Sequence, residues 1–346
     1  MNEELLKSLT DSFAVTGYEE NLHSVILNAL KGYTDKIESL KNGSLYALKK
    51  GKPGKCTLML DAHIDEVGMF VTGITDEGFL RIHTRSIDPK VLPGSVVVVH
   101  GKKDLKGVIG LKPYHLQSKE EMKKYIPIDQ LFVDCGMSNK KIRQIVNIGD
   151  TVSFLPDFVK LQNLISNKSI DDRAGVYVII EVLKNLKRIT PLVNVIGHFA
   201  SQEEVTGLGA LTSTYYLKPD FAIAIDVTHG TSPGVTSREA YQLGKGPVLF
   251  VGPGIDHIIL QKLVDTAKKF GIPVQKEVGI LSGTDQTEIQ IVGKGVPSAV
   301  VSLPQRYMHT PVEVIDPEDI KNTINLLTLF IEEIDETFME ELYGEH

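Results

Sequence analysis

Apolar and polar positions along this chain fall into two alternating rhythms. Leu5, Leu6, Leu9 and Phe13 recur at helical spacing and predict an amphipathic helix at the start of the sequence. Thr16 and Glu19 fit a capping box, and Leu22, Val25, Ile26 and Leu30 supply the apolar face of a second helix behind it. Strands are predicted at 36–40 and 44–48, joined across Asn42-Gly43, a dipeptide that takes the positive φ of a tight hairpin. A short apolar run at 56–60 reads as a buried strand. It ends abruptly in Asp61, His63, Asp65 and Glu66, within the stretch LMLDAHIDEVG. Polar groups at the carboxyl end of such a strand sit where open α/β sheets place their ligands. His63 and Asp65 are two apart and project to one side if the extended geometry continues, so the carboxylate can orient the imidazole beside a metal.

From about 67 to about 164 the rhythm changes. Stretches 67–74, 79–83, 96–100, 107–111 and 151–155 read as short strands separated by Gly, Pro and Asp. Only 119–125 reads as helical there, and it is short and highly charged. A block of short strands inside a chain that otherwise alternates strand and helix predicts a separate β domain. The expected division is therefore 1–66 with 165–346 as one domain and 67–164 as an insertion. The alternation resumes at Asp171, where Ile179, Val182, Leu183 and Leu186 mark a helix. Stretch 192–200 is a buried strand ending in Ser201-Gln202-Glu203-Glu204, and 221–225 is another, ending in Asp226. A helix at 258–270, strands at 273–278 and 298–303, and a closing helix at 317–343 complete a three-layer α/β core around a mixed or parallel sheet.

Composition narrows the function. The 346 residues suffice for about two domains. A net charge of −7 with no long Lys/Arg run excludes nucleic acid as a main partner. No apolar run approaches the ~20 residues of a membrane span. The opening MNEELLKSLTDSF has acids where a signal peptide needs a basic and then an apolar segment. Cys56 and Cys135 lack metal-type spacing and suit a reducing cytoplasm.

The candidate chemistry is a set of acids and imidazoles at strand ends and helix starts: His63, Asp65, Asp171, Asp172, Glu203, Glu204, Asp226 and His309. Two imidazoles with several carboxylates and no thiolate suit zinc, cobalt or manganese rather than calcium. The acids outnumber what one four-coordinate ion uses, which points to paired metals with a bridging carboxylate, an arrangement suited to hydrolysis. The doublet Glu203-Glu204 lets one acid bind metal while its neighbour handles protons. Pattern alone does not separate Asp171 from Asp172 as the bridge.

AHIDEVG, SIDDRAG, SQEEVTGLGA, AIDVTHG, LSGTDQTE and PQRYMHTP, in this order over essentially the whole chain, resemble the TET-type glutamyl and deblocking aminopeptidases, a family of dinuclear metallopeptidases. The resemblance implies a zinc-exopeptidase-like α/β/α catalytic domain with an inserted β-barrel-like dimerisation domain. It implies two divalent ions per chain, zinc or cobalt foremost: His63 and Asp226 on one, Glu204 and His309 on the other, Asp171 between them. Glu203 is then the general base and Asp65 the acid supporting His63. Peptide substrates, and dimers that build a tetrahedral dodecamer, are implied in the same way. Two rivals stand beside this reading: an endoglucanase-type glycoside hydrolase, since some relatives carry that label, and a non-catalytic metal-dependent assembly protein. The intact Glu203 argues against the second. The absence of Trp for sugar stacking, and acids already accounted for around metals, argue against the first.

Overall fold

Four apolar runs with almost no polar interruption become the centre of one sheet, because strands covered on both faces have no side to give to water. A computed structural model describes residues 1–53, 56–236 and 240–344. Asn194–Ala200, Thr57–His63, Phe221–His229 and Ser298–Arg306 lie side by side in that order, all parallel. The hairpin Lys36–Ser39 and Leu45–Lys49 extends one side of the sheet, and Glu313–Ile315, Leu164–Asn167 and Val159–Leu161 extend the other. Val248–Val251 and Gln275–Val278 branch from Ser298–Arg306, which brings the sheet among the described residues to eleven strands.

One face of the sheet is covered by Glu3–Asp11, Glu20–Leu30, Ile170–Asn185, His257–Phe270, Pro317–Glu332 and Glu336–Tyr343, whose apolar residues share the main core. The other face is covered by Leu208–Leu217 and Gln286–Ile289, around Met59, Ile196, Ala210 and Ile289. The Ile170–Asn185 helix is buried nearly all round, which explains why its sequence is apolar without a clear polar face. Parallel central strands have a consequence for chemistry: their carboxyl ends all open at one edge of the sheet, with His63, Ser201 and Arg306 at or just beyond them and Asp226 three residues before the end of its strand, which runs on past the expected stop to His229.

After Thr57–His63 the chain leaves the sheet for a closed barrel in the order Met69–Ile74, Leu80–His83, Phe132–Asp134, Asp104–Ile109, Val96–His100 and Thr151–Phe154. Its strands alternate in and out: Val97, Val99, Leu105 and Ile109 point inward to a core separate from that of the sheet. The chain re-enters the sheet at Val159–Leu161. No helix among the described residues is long and apolar enough to cross a membrane.

Three local expectations differ from the structure. The 119–125 stretch forms only a 3-10 turn at Glu121–Lys123; a segment with no continuous apolar face has nothing to hold a longer helix. The closing helix is two helices, broken where Asp335 caps the second by accepting from Phe338 N. The Thr16/Glu19 capping box does not form. Instead Thr16 Oγ1 donates to Asp65 at 2.8 Å, and the Glu19 carboxylate accepts from Gly17 N and Gln202 N. Buried groups with unmet hydrogen-bonding capacity outcompete a helix end that water can satisfy.

Candidate active site

The strand Thr57–His63 runs further than its apolar core, and His63 is its last residue. Its Nδ1 lies 3.2 Å from the Asp65 carbonyl and 3.5 Å from Asp65 Oδ1, which fixes the ring and aims Nε2 into the space at the sheet edge. His309 is fixed in the same way from the far side: Nδ1 is 2.9 Å from the Ser86 carbonyl, so its Nε2 also points inward. Asp171 stands between the two rings, with Oδ1 3.1 Å from His63 Nε2 and Oδ2 3.3 Å from His309 Nε2. Glu204 Oε2 is 3.2 Å from His309 Nε2, while Glu203 Oε2 and Asp226 Oδ1 lie 3.9 and 4.0 Å from His63 Nε2. Seven of the eight residues singled out from the sequence are brought together by these contacts, and the eighth, Asp172, brings a carboxylate oxygen within 4.8 Å of ligand atoms of His63 and Asp226. Glu203, with 17% of its side chain exposed, is more open than Asp171 or Glu204 at 6% and Asp226 at 10%.

The two members of each acid doublet have separate tasks. The peptide bond between Asp171 and Asp172 is cis. Asp171 turns both oxygens to the imidazoles, whereas Asp172 accepts from Gly175 N inside its own helix at 3.1 Å. Asp65 accepts Thr16 Oγ1 and the backbone N–H groups of Glu203 (3.0 Å) and Glu204 (3.2 Å), so one carboxylate orients His63 and seats the next doublet.

Crowding of these acids and imidazoles shifts their proton affinities. Burial, then Asp226, Glu204 and Asp65, push Glu203 up to about 9 against the opposing pull of His63. Burial, with Asp171 and Glu204, raises Asp226 to about 8, also against His63. Burial works against His309, but its hydrogen bonds to Asp171 and Glu204 prevail and raise it to about 11. The same contest raises His63 well above its ordinary value through Asp171 and Asp65. Asp171 is held below the usual carboxylate range: burial opposes this, but the two histidines outweigh it.

The sequence profile of the M42 glutamyl aminopeptidases matches residues 43–326. The lysyl aminopeptidase of Pyrococcus furiosus is 33% identical over 340 residues, covering 96% of this chain and 97% of its own length. A solved TET aminopeptidase from a marine sediment Thaumarchaeota archaeon is similar with a TM-score of 0.93 at 30% identity, over 98% of each chain. The TET1 peptidase of Pyrococcus horikoshii, which can assemble into a tetrahedron or a large octahedral shell, gives 0.85 at 32% identity, over 96% of this chain and 99% of that one. The chain belongs to the M42 glutamyl aminopeptidase family. It is an aminopeptidase, with the mixed α/β fold and inserted β domain expected from its pattern, the insertion closing into the barrel that the resemblance implies.

The donor set of this M42 aminopeptidase fits divalent metal. His63, Asp171 and Glu204 bring one ligand atom each within 4.8 Å of one another, as do His63, Asp172 and Asp226. Glu204 Oε1 is buried with no hydrogen-bond partner among the described residues. A carboxylate oxygen in that position is costly unless a cation meets it.

Three supporting residues, Glu313, Ser86 and Thr16, gave almost no sign of that role in the sequence. Glu313 accepts from Asp171 N at 3.1 Å and His309 N at 2.9 Å, joining the central acid to the far histidine. Its position four residues beyond His309 was the one signal available. Ser86, from the barrel side, holds His309 and donates through Oγ to the Glu204 carbonyl at 3.1 Å. Asp285 is buried with both oxygens unpartnered among the described residues, and burial with Asp61 and Glu203 raises it well above its ordinary value. Thr16 was visible only as a helix cap. His198, on the central strand Asn194–Ala200, is fully buried with Nδ1 2.5 Å from Asp61.

Proposed function

We propose that His63 and Asp226 hold one divalent ion, Glu204 and His309 hold a second, and Asp171 bridges them, with Glu203 as the general base. The observation that carries this is the Asp171 carboxylate, with one oxygen on each of two inward-facing imidazoles. Two bound ions supply Lewis acidity for the scissile carbonyl and lower the pKa of the attacking water. Glu203, the most open acid of the set, takes a proton from that water and returns it to the leaving amine. Asp65 keeps His63 in the tautomer that presents Nε2 and holds the Glu203 backbone in place. Zinc and cobalt match the mixed imidazole and carboxylate donors.

The barrel is assigned to self-assembly, with dimers building a dodecamer, supported by solved TET1 relatives that form a dodecamer or larger shells. Residues 67–164 are its proposed extent. The cytoplasm is the proposed compartment, which suits a chain with two cysteines and no disulfide among the described residues. Purified protein should release N-terminal residues from short peptides in the presence of zinc or cobalt and stop when EDTA is added. Cleavage of a soluble glucan in EDTA, with peptides left intact, would overturn the reading.

A further inference from the structure

Beside the cluster lies a second set of charges that the chemistry does not use. Glu66 follows Asp65 directly but points away from the two imidazoles. Its Oε1 accepts from Ala14 N at 2.9 Å, and its Oε2 accepts from Lys168 Nζ at 2.6 Å and from the Ser169 hydroxyl. Both partners of the ion pair are sealed, with 3% of the Glu66 side chain and 2% of the Lys168 side chain exposed. Lys168 Nζ also reaches the Ser12 carbonyl at 3.3 Å.

The placement of the pair matters more than its charge. Glu66 stands three residues after His63, and Lys168 three residues before Asp171. A three-residue leash spans at most about 10 Å even when fully extended. The tie therefore joins the segment carrying the first imidazole to the segment carrying the central carboxylate, 108 residues apart in sequence. Ser169 adds a second observation. Its φ of 56° lies in the left-handed region, which a non-glycine residue keeps only where its surroundings over-determine it. Its hydroxyl does not cap the helix that follows but bonds Glu66. Core stability alone is a poor reason for such a pair, because well-packed apolar residues fill the same volume without desolvating two charges. An ion pair with a hydroxyl adds direction.

We propose that Glu66, Lys168 and Ser169 are positioning residues: a buried ionic tie that sets the spacing between the His63 and Asp171 segments, and so the geometry of the metal pair. This rests on the assignment of His63 and Asp171 as ligands.

The test uses the full-length protein, Co²⁺ as the probe, and two variants. Glu66→Gln/Lys168→Met removes both charges together and keeps an oxygen for Ala14 N and Ser169. Ser169→Gly removes the hydroxyl and takes the positive φ without strain. Ser169→Gly is expected to fold with a thermal midpoint near that of the wild type; the double variant, which also takes from buried Arg173 its main counter-charge, is expected to fold with a lower one. Both should bind Co²⁺ tenfold to a hundredfold more weakly, with altered visible d–d absorption and a lower kcat at little-changed KM. Wild-type Co²⁺ affinity, spectrum and kcat in both variants would overturn the tie. If the double variant does not fold, Ser169→Gly decides by the same readouts. If the wild type itself binds no Co²⁺, the ligand assignment falls, and the inference with it.

Discussion

Replacing Glu203 by glutamine keeps the shape of the side chain while removing its charge and its ability to take a proton. Two separable effects should follow. With metal bound, kcat should fall by roughly two to four orders of magnitude, about 2.7–5.4 kcal/mol of barrier. In the metal-free chain the same change should stabilise the fold, with a particular pH dependence. Burial and the neighbouring acids raise Glu203 from 4.5 to about 9. A carboxyl raised on folding contributes its stability below the unfolded pKa and loses that contribution as pH climbs through the folded value. Glutamine does not titrate. The two proteins should therefore unfold at similar temperatures near pH 4.5 and diverge above it, with the variant ahead by at most about 3 kcal/mol at pH 7. Thermal unfolding followed by circular dichroism in EDTA, from pH 5 to 8, reads the second effect. Turnover of an aminoacyl p-nitroanilide by the zinc-loaded protein reads the first. Turnover within tenfold of the wild type would remove Glu203 as base. A stability difference that does not grow with pH would refute the crowding argument.

Three further outcomes are expected. His63→Ala and His309→Ala should each lower the metal content found by elemental analysis and abolish activity; two bound ions and full turnover in either variant would sink the ligand set. Zinc affinity should rise between pH 6 and 8, since the ligands Asp226 at about 8 and His309 at about 11 hold protons that a cation must displace. Calorimetry in two buffers of different ionisation enthalpy should show protons released on binding, and their absence would contradict the charge assignment. A chain in which a short linker replaces residues 67–164 should give smaller particles by light scattering or native mass measurement, and unchanged particles would refute the assembly role of the barrel.

What the sequence made legible, and what it hid, divide along a physical line. His63, Glu203, Glu204 and Asp226 were visible because each comes at or within a few residues of the end of a mainly apolar run, and parallel strands bring such ends to one edge. Supporting residues gave no such signal, because their partners are remote: Ser86 meets His309 across 223 residues. Thr16 even sent a misleading local signal, since a capping box cannot reveal that a buried carboxylate 49 residues away competes for the same hydroxyl. Backbone conformation was equally hidden. Ser169, Gln202, Tyr307 and His309 all have positive φ around the site, and nothing in their residue types requires it. The doublets show the division most clearly. Asp65-Glu66, Asp171-Asp172 and Glu203-Glu204 each read as two equivalent acids. Only Asp65-Glu66 lies in extended chain, where consecutive side chains face opposite ways; Asp171-Asp172 opens a helix across a cis bond, and Glu203-Glu204 sits in a turn with each acid near a different histidine. Which member meets the imidazoles depends on what the fold brings to each side: backbone N–H groups for Asp65, Lys168 for Glu66, two histidines for Asp171, a helix N–H for Asp172. The doublet is a local signal, but the division of labour within it is a tertiary one.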